Sequence, residues 1–361
     1  MTETGPVKPW LRSRIERHHE FWKDETPGRF LVTLALWEMR IDYARHGFKG
    51  RPLNSWSFPD DAEAFIDLQT RRVAIDAQVL QEADDDRIPC LSPGIGIAIH
   101  SAWFSDSEVI IGKDTSWTHP VIDSWDKLET LRMDENNRWL RMISRMNRRL
   151  VERNEGDFAT QTFSHLGPMD MANALRGNAL FTDVFETPDE VHALMDKCAG
   201  AILWLEVEQR RIVPPVQGGT PIWGVWHPGN AVFMSEDATD LATPDIYAEF
   251  GRPYADRVSA AAGGCYIHHH AYGLRCHEAI ARVAGLRVLQ ISQDPNCPPP
   301  IDSLGRLMEW NRGVPLMINC TPRQVYENIN ALKRGRVIIN LQARDPAEAR
   351  ETVRWIRAQS R

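Results

Sequence analysis

The chain has 361 residues, 43% of them hydrophobic, with 42 Lys and Arg against 49 Asp and Glu for a net charge of −7. This is globular composition and excludes a disordered, collagen-like or low-complexity chain. The acidic balance argues against a nucleic-acid partner. No apolar run approaches the ~18 residues of a membrane span, and Met1 to Trp10 hold no apolar stretch for a secretory signal.

In chain order, residues 1–29 read as an N-terminal helical extension. From residue 30 onward, short β-branched runs bounded by Gly, Pro or charge alternate with helical patterns. Strands are expected within Phe30–Trp37, Ile88–Ile99, Phe158–Phe163, Ile222–Phe233, Cys265–His269, Val288–Ile291, Pro315–Ile318 and Arg336–Leu341. Between them, Asp60 to Ala83 reads as a helix capped by Asp60 with Glu63 three residues on. Asn136 to Asn154 and Thr187 to Val213 are amphipathic. Thr187-Pro188, Thr243-Pro244, Thr321-Pro322 and Asp345-Pro346 each put a capping oxygen before a proline. Glu190, Gln324 and Glu348 extend three of these to capping boxes. Asp84-Asp85-Asp86 reads as a solvated turn.

Eight strands alternating with helices predict an α/β fold, a closed (β/α)8 TIM barrel over residues 30–361 as a single catalytic domain. An open doubly wound sheet is the alternative, but no GxGxxG follows a strand and no GxxxxGK[ST] occurs. The six cysteines (Cys90, Cys198, Cys265, Cys276, Cys297 and Cys320) form no CxxC and read as free thiols of a reducing, cytoplasmic compartment. Thirteen Trp supply flat side chains for core packing or for a pocket that takes a planar ligand.

In such a barrel the active site lies at the C-terminal ends of the strands. The residues expected there as substrate-binding groups are Trp37, Glu38, His165, His227, Ser235 and Asn319. The sharpest pattern is Tyr266-Ile267-His268-His269-His270. Side chains alternate along a strand, so His268 and His270 share one face and His269 takes the other. Two imidazoles on one face can hold a metal when Asp294 or Cys320, at the ends of the next two strands, completes the shell. Such a site needs neutral imidazoles and weakens below about pH 6.5. The alternative is that the histidines bind substrate or each other. Glu236 and Asp237 can act as acid, base or acceptor, or cap the following helix. Arg40 can anchor a carboxylate or phosphate, or pair with Glu38 or Asp42.

Three stretches resemble the uroporphyrinogen decarboxylase superfamily, which also holds cobalamin-dependent methyltransferases. They are His165-Leu-Gly-Pro-Met-Asp-Met-Ala-Asn-Ala-Leu-Arg-Gly177, Ser235 to Phe250 followed by Pro253-Tyr254, and Asn319-Cys-Thr-Pro322. The resemblance runs from about Phe30 to Arg357 and implies a (β/α)8 barrel enzyme. Near Leu36–Arg45 the chain keeps Met39-Arg40 of the decarboxylases but not their Gln-Ala-Gly-Arg register, and their late Gly-His-Gly is absent. The methyltransferases hold zinc with His-x-Cys on strand five and a Cys on strand eight. Here His268-x-His270 stands at the first place, and Ile338–Gln342 lacks the Cys. The resemblance therefore implies a methyltransferase or demethylase first. Zinc or another divalent metal would be its cofactor, at a site suited to an oxygen ligand. It also implies a small-molecule substrate, a corrinoid carried by a partner protein, and a homodimer. Two other outcomes stay open: a metal-free decarboxylase using Arg40 with His268 or His270, and a non-catalytic ligand-binding barrel or corrinoid-protein partner.

Overall fold

The computed structural model describes residues 6–35, 60–94, 99–105, 107–111, 116–163 and 165–360. The strands that organise it are β1 (Phe30–Leu34), β2 (Cys90–Leu91), β3 (Ala159–Thr160), β4 (His165–Leu166), β5 (Val232–Ser235), β6 (Cys265–His270), β7 (Leu286–Ser292), β8 (Leu316–Cys320) and β9 (Val337–Leu341). Seven pair in parallel in the order β1-β9-β8-β7-β6-β5-β4, and β2 pairs in parallel with β3. Only residues 161–164 separate β3 from β4. The two act as halves of one bent stave, the first bound to β2 and the second to β5. This is a mixed α/β architecture consistent with a TIM-barrel-like fold, but among the described residues the ladders do not close a ring. Among the described residues β1 and β2 share no ladder.

Alternation along the strands sorts their side chains into two layers. Val32, Ile291, Ile318, Cys320 and Ile339 face the helices. Leu31, Phe233, Tyr266, Val288, Met317 and Ile338 form an inner apolar cluster. Phe21, from the helix Pro9–Lys23, joins that cluster. So do Ile222 and Val225, from an antiparallel hairpin of Gly219–Ile222 with Val225–Pro228. Its two turn residues, Trp223 and Gly224, have φ of 48° and 84°. Two-residue hairpin turns of the primed types require that sign, and glycine supplies it without strain.

The place where the β1–β2 ladder is missing is stitched by side chains. Asp86 Oδ2 accepts from Val32 N and Asp85 Oδ2 from Leu34 N, each at 2.8 Å, and Asp86 N donates to Val32 O at 2.7 Å. Asp85 also binds Arg14 at 3.2 Å, and Asp86 binds Arg17 at 2.5 Å and Arg357 at 2.9 Å. Only Asp84 of the expected solvated turn is exposed; Asp85 and Asp86 are buried. The expectation failed because the carboxylates replace a strand as the partner of β1.

The helix limits follow the pattern closely: Asp60–Ala83, Arg138–Glu152 and Pro188–Arg210. Thr321 and Gln324 make the full capping box, and Thr243 and Asp345 cap the third amide of their helices. Thr187 makes no cap; its hydroxyl accepts instead from Trp125 Nε1 at 3.0 Å. Glu63 pairs with Arg149 and Arg153. Among the described residues no helix is long and apolar enough to cross a membrane.

Candidate functional site

The inner face of β6 carries Tyr266, His268 and His270, and its outer face carries His269, as alternation demands. His269 Nε2 meets His277 Nδ1 at 2.7 Å behind the sheet, and His277 Nε2 meets Asn311 Oδ1 at 2.5 Å. Burial lowers the pKa of both, His277 to about 4, so both are neutral and serve the wall rather than the mouth.

His268 and His270 meet edge to face, with ring centroids 4.9 Å apart. Each spends its Nδ1 on a neighbouring element. His268 Nδ1 bonds Gln290 Oε1, and Gln290 Nε2 donates to Ser292 Oγ at 3.1 Å, which fixes the amide's orientation. Gln290 lies directly opposite His268 in the β6–β7 register. His270 Nδ1 bonds Asp294 Oδ1 at 2.5 Å, and Asp294 Oδ2 accepts from Tyr272 N at 2.9 Å. With Nδ1 used in this way, both Nε2 atoms point to Asp237, at 3.4 Å from Oδ1 for His268 and 3.7 Å from Oδ2 for His270. Those separations are too long for good hydrogen bonds, and Asp237 Oδ1 is buried without a hydrogen-bond partner.

Asp237, His268 and His270 are the one group of three such side chains among the described residues whose donor atoms could surround an ion. The residues fit one. Two imidazole nitrogens and a carboxylate oxygen form a donor set that zinc and similar divalent ions accept. A tetrahedral ion with bonds of about 2.0–2.1 Å holds its donors about 3.3 Å apart, close to the 3.4 Å and 3.7 Å between Asp237 and the two imidazoles, and all three donor atoms lie within 4.8 Å of one another. Gln290 and Asp294 would then be outer partners that orient the ligands.

The electrostatics agree with a cation. Burial lowers the pKa of His268. Burial also works against a proton on His270, but Asp237 and Asp294 outweigh it and hold that pKa above its ordinary value. Burial, with Asp170 and Asp237 nearby, pushes Glu236 well up. Burial and Asp237 do the same to Asp170, which accepts from Ser235 Oγ at 2.8 Å and Ala238 N at 2.5 Å. Asp170 thus ties the helix Pro168–Arg176 to the turn that presents Asp237. Glu236 packs against Gly167, where a Cβ would collide with its carboxylate.

The other expected site residues scatter. Cys320 faces the helices in the outer apolar layer, with its thiol pushed up to about 12 by burial. The structure does not bring it to the ion-sized group, because Leu316, Ile318 and Cys320 share the outward parity of β8. Asp294 is a partner of His270, not a member of the three. His165 lies within β4 and meets Glu206 at 3.0 Å on the flanking helix Pro188–Arg210. His227 belongs to the hairpin, packed between Trp22 and Tyr266. Asn319 accepts from Asn340 Nδ2 at 2.7 Å on the inner face. Trp37, Glu38 and Arg40 lie outside the described residues.

No family model matches the chain, and no curated protein matches it. Among solved structures, a methyltransferase from Methanosarcina mazei is similar, with a TM-score of 0.64 and 11% identity over 97% of this chain and 98% of that one. At that identity the likeness shows the fold.

Proposed function

We propose that the chain is a methyltransferase- or demethylase-type enzyme of the uroporphyrinogen decarboxylase superfamily. Its residues 30–361 would form one closed (β/α)8 catalytic barrel with a divalent metal at the mouth. The observation that carries this is the pair of imidazoles whose Nδ1 atoms are engaged and whose Nε2 atoms converge on Asp237.

Asp237, His268 and His270 would hold the metal, which supplies a Lewis acid for an oxygen of the substrate. Gln290 and Asp294 keep both rings in the Nδ1–H tautomer and leave the Nε2 lone pairs free. Asp170 holds the turn that carries Asp237. The small substrate would enter at the C-terminal end of the strands, and the methyl group would be exchanged with a corrinoid on a partner protein. Self-pairing and a cytoplasmic location belong to the same proposal.

Elemental analysis of protein purified without added metal tests this. We expect about one equivalent of a divalent transition metal, lost in His268→Ala and His270→Ala. Less than about 0.1 equivalent, with unchanged turnover, overturns the metal.

A second reading, metal-free decarboxylation, is favoured by the position of His270, a half-buried imidazole between Asp237 and Asp294, which hold its pKa above the ordinary value against burial and suit it to deliver a proton to a carbanion. Chelator-insensitive release of carbon dioxide, abolished in Arg40→Ala, would establish it instead.

A further inference from the structure

On four neighbouring strands a half-buried inner residue stands at one level: His270 on β6, Ser292 on β7, Asn319 on β8 and Asn340 on β9. The residues on either side of Asn319 and of Asn340 along their strands are buried. His270 pairs with Ser292 and Asn319 with Asn340 in the strand registers. Ser292 lies one residue beyond the Ile291–Ile318 pair that joins β7 to β8. A shared level with shared partial exposure opens this band onto the lumen at the C-terminal end of the sheet. Two residues below it, Leu31, Ile338 and Met317 make the inner face apolar.

The band ends in a one-way chain of hydrogen bonds. Thr33 Oγ1, level with Asn340 on β1, donates to Asn340 Oδ1 at 3.2 Å, and Asn340 Nδ2 donates to Asn319 Oδ1 at 2.7 Å. Each amide spends its oxygen inside the chain. Asn319 Nδ2 is the terminal donor, and it is not among the buried atoms that lack a partner. An amide held by its oxygen presents N–H groups and no acceptor.

We infer that Asn319 is a specificity-determining residue that donates an amide hydrogen bond to an uncharged carbonyl oxygen of the substrate, with Asn340 and Thr33 as positioning residues that keep the amide turned donor-outward. An acceptor is required because the chain leaves only hydrogens to bind. An uncharged one is favoured because Thr33, Asn340, Asn319 and Ser292 bring no cation, while Asp237 and Asp294 stand beside His270 on the same lumen. His270 and Asn319 are two strands apart, roughly 10 Å along the sheet. This oxygen is therefore a second one, distinct from the oxygen that a metal would polarise. The inference rests on the reading of this lumen as the substrate site; the hydrogen-bond chain does not need the metal.

The test is nitrogen-15 NMR of the whole chain labelled at asparagine. The side-chain signals of Asn319 and Asn340 are those lost in Asn319→Asp and in Asn340→Asp. N,N-dimethylacetamide, which has a carbonyl and no donor, should shift the Asn319 signal saturably. Acetate, compared in chelated protein so that no metal holds it, should bind there at least about threefold more weakly. Asn319→Asp still accepts from Asn340 but offers no N–H, and should bind dimethylacetamide about three- to tenfold more weakly, read at the Asn340 signal. Asn340→Asp can only accept, so it should draw the Asn319 amide toward itself and weaken dimethylacetamide by a similar factor, read at the Asn319 signal with the backbone spectrum unchanged. An Asn319 signal that dimethylacetamide leaves unmoved, acetate binding as tight, or unchanged binding in either variant would overturn the inference. If Asn319→Asp does not fold, Asn319→Ser identifies the signal and the wild-type shifts decide. Elemental analysis of the same preparation judges the metal separately. A shift in protein that binds no metal keeps the Asn319 contact and removes the metal reading, and metal-loaded protein with an unmoved signal does the reverse.

Discussion

At the scale of single residues, the site is organised by what each imidazole does with its second nitrogen. Gln290 touches no substrate in this scheme, yet it decides which nitrogen of His268 faces Asp237. Gln290→Leu should therefore lower metal affinity by about 10- to 100-fold, as loss of an outer hydrogen-bond partner does elsewhere. The check is competition against a chromophoric chelator, with the circular dichroism spectrum unchanged. The inward pairing of His268 and His270 was legible because strand alternation is local and needs only the two positions. Gln290 was not, because its role depends on the β6–β7 register, which pairs residues 22 apart. The expected ligand Cys320 failed for a related reason: being at the end of a strand says nothing about which face a side chain takes.

At the scale of elements, the same short motif has two fates. Thr321-Pro322 caps its helix with the full reciprocal box. Thr187-Pro188 does not, because Trp125 claims the threonine hydroxyl. Thr321→Ala should cost about 1 kcal/mol by loss of the cap. Thr187→Ala should act through the Trp125 contact instead, and adding Trp125→Phe to it should cost little more. Urea denaturation of the two single variants and the double variant checks both. The helix and strand positions were largely legible, since their periodicity lies within each segment. The hairpin at residues 219–228 was read only as part of a strand, because its return depends on a Trp in a left-handed turn that propensity disfavours.

At the scale of the molecule, the seam between β1 and β2 is where the sequence misled most. Three consecutive aspartates look solvated until a strand edge and three arginines converge on them. Burial, only partly offset by Arg14, raises Asp85 to about 6, whereas Arg357 and Arg17 outweigh burial and hold Asp86 low. For Asp85 the folded state binds the proton more tightly than the unfolded chain, so its contribution to stability is largest below about pH 4 and falls as the pH rises to about 6. Asp85→Asn removes that titration. The stability of wild type relative to Asp85→Asn should therefore decline by about 2 kcal/mol between pH 4 and pH 7, measured by urea titration at each pH. A flat difference would mean that Asp85 is ionised at little cost.

The stitching also links distant parts of the chain in time. Arg14 and Arg17 bind the seam aspartates from one side and Arg357 from the other, while Ser360 Oγ reaches Gly28 O at 3.3 Å. During synthesis at about 5–20 residues per second, Asp86 meets Arg17 early but must wait for residue 357 to leave the ribosome before it gains Arg357. A nascent chain stalled short of that point should be readily cut by protease near residue 85, and one released beyond it should resist.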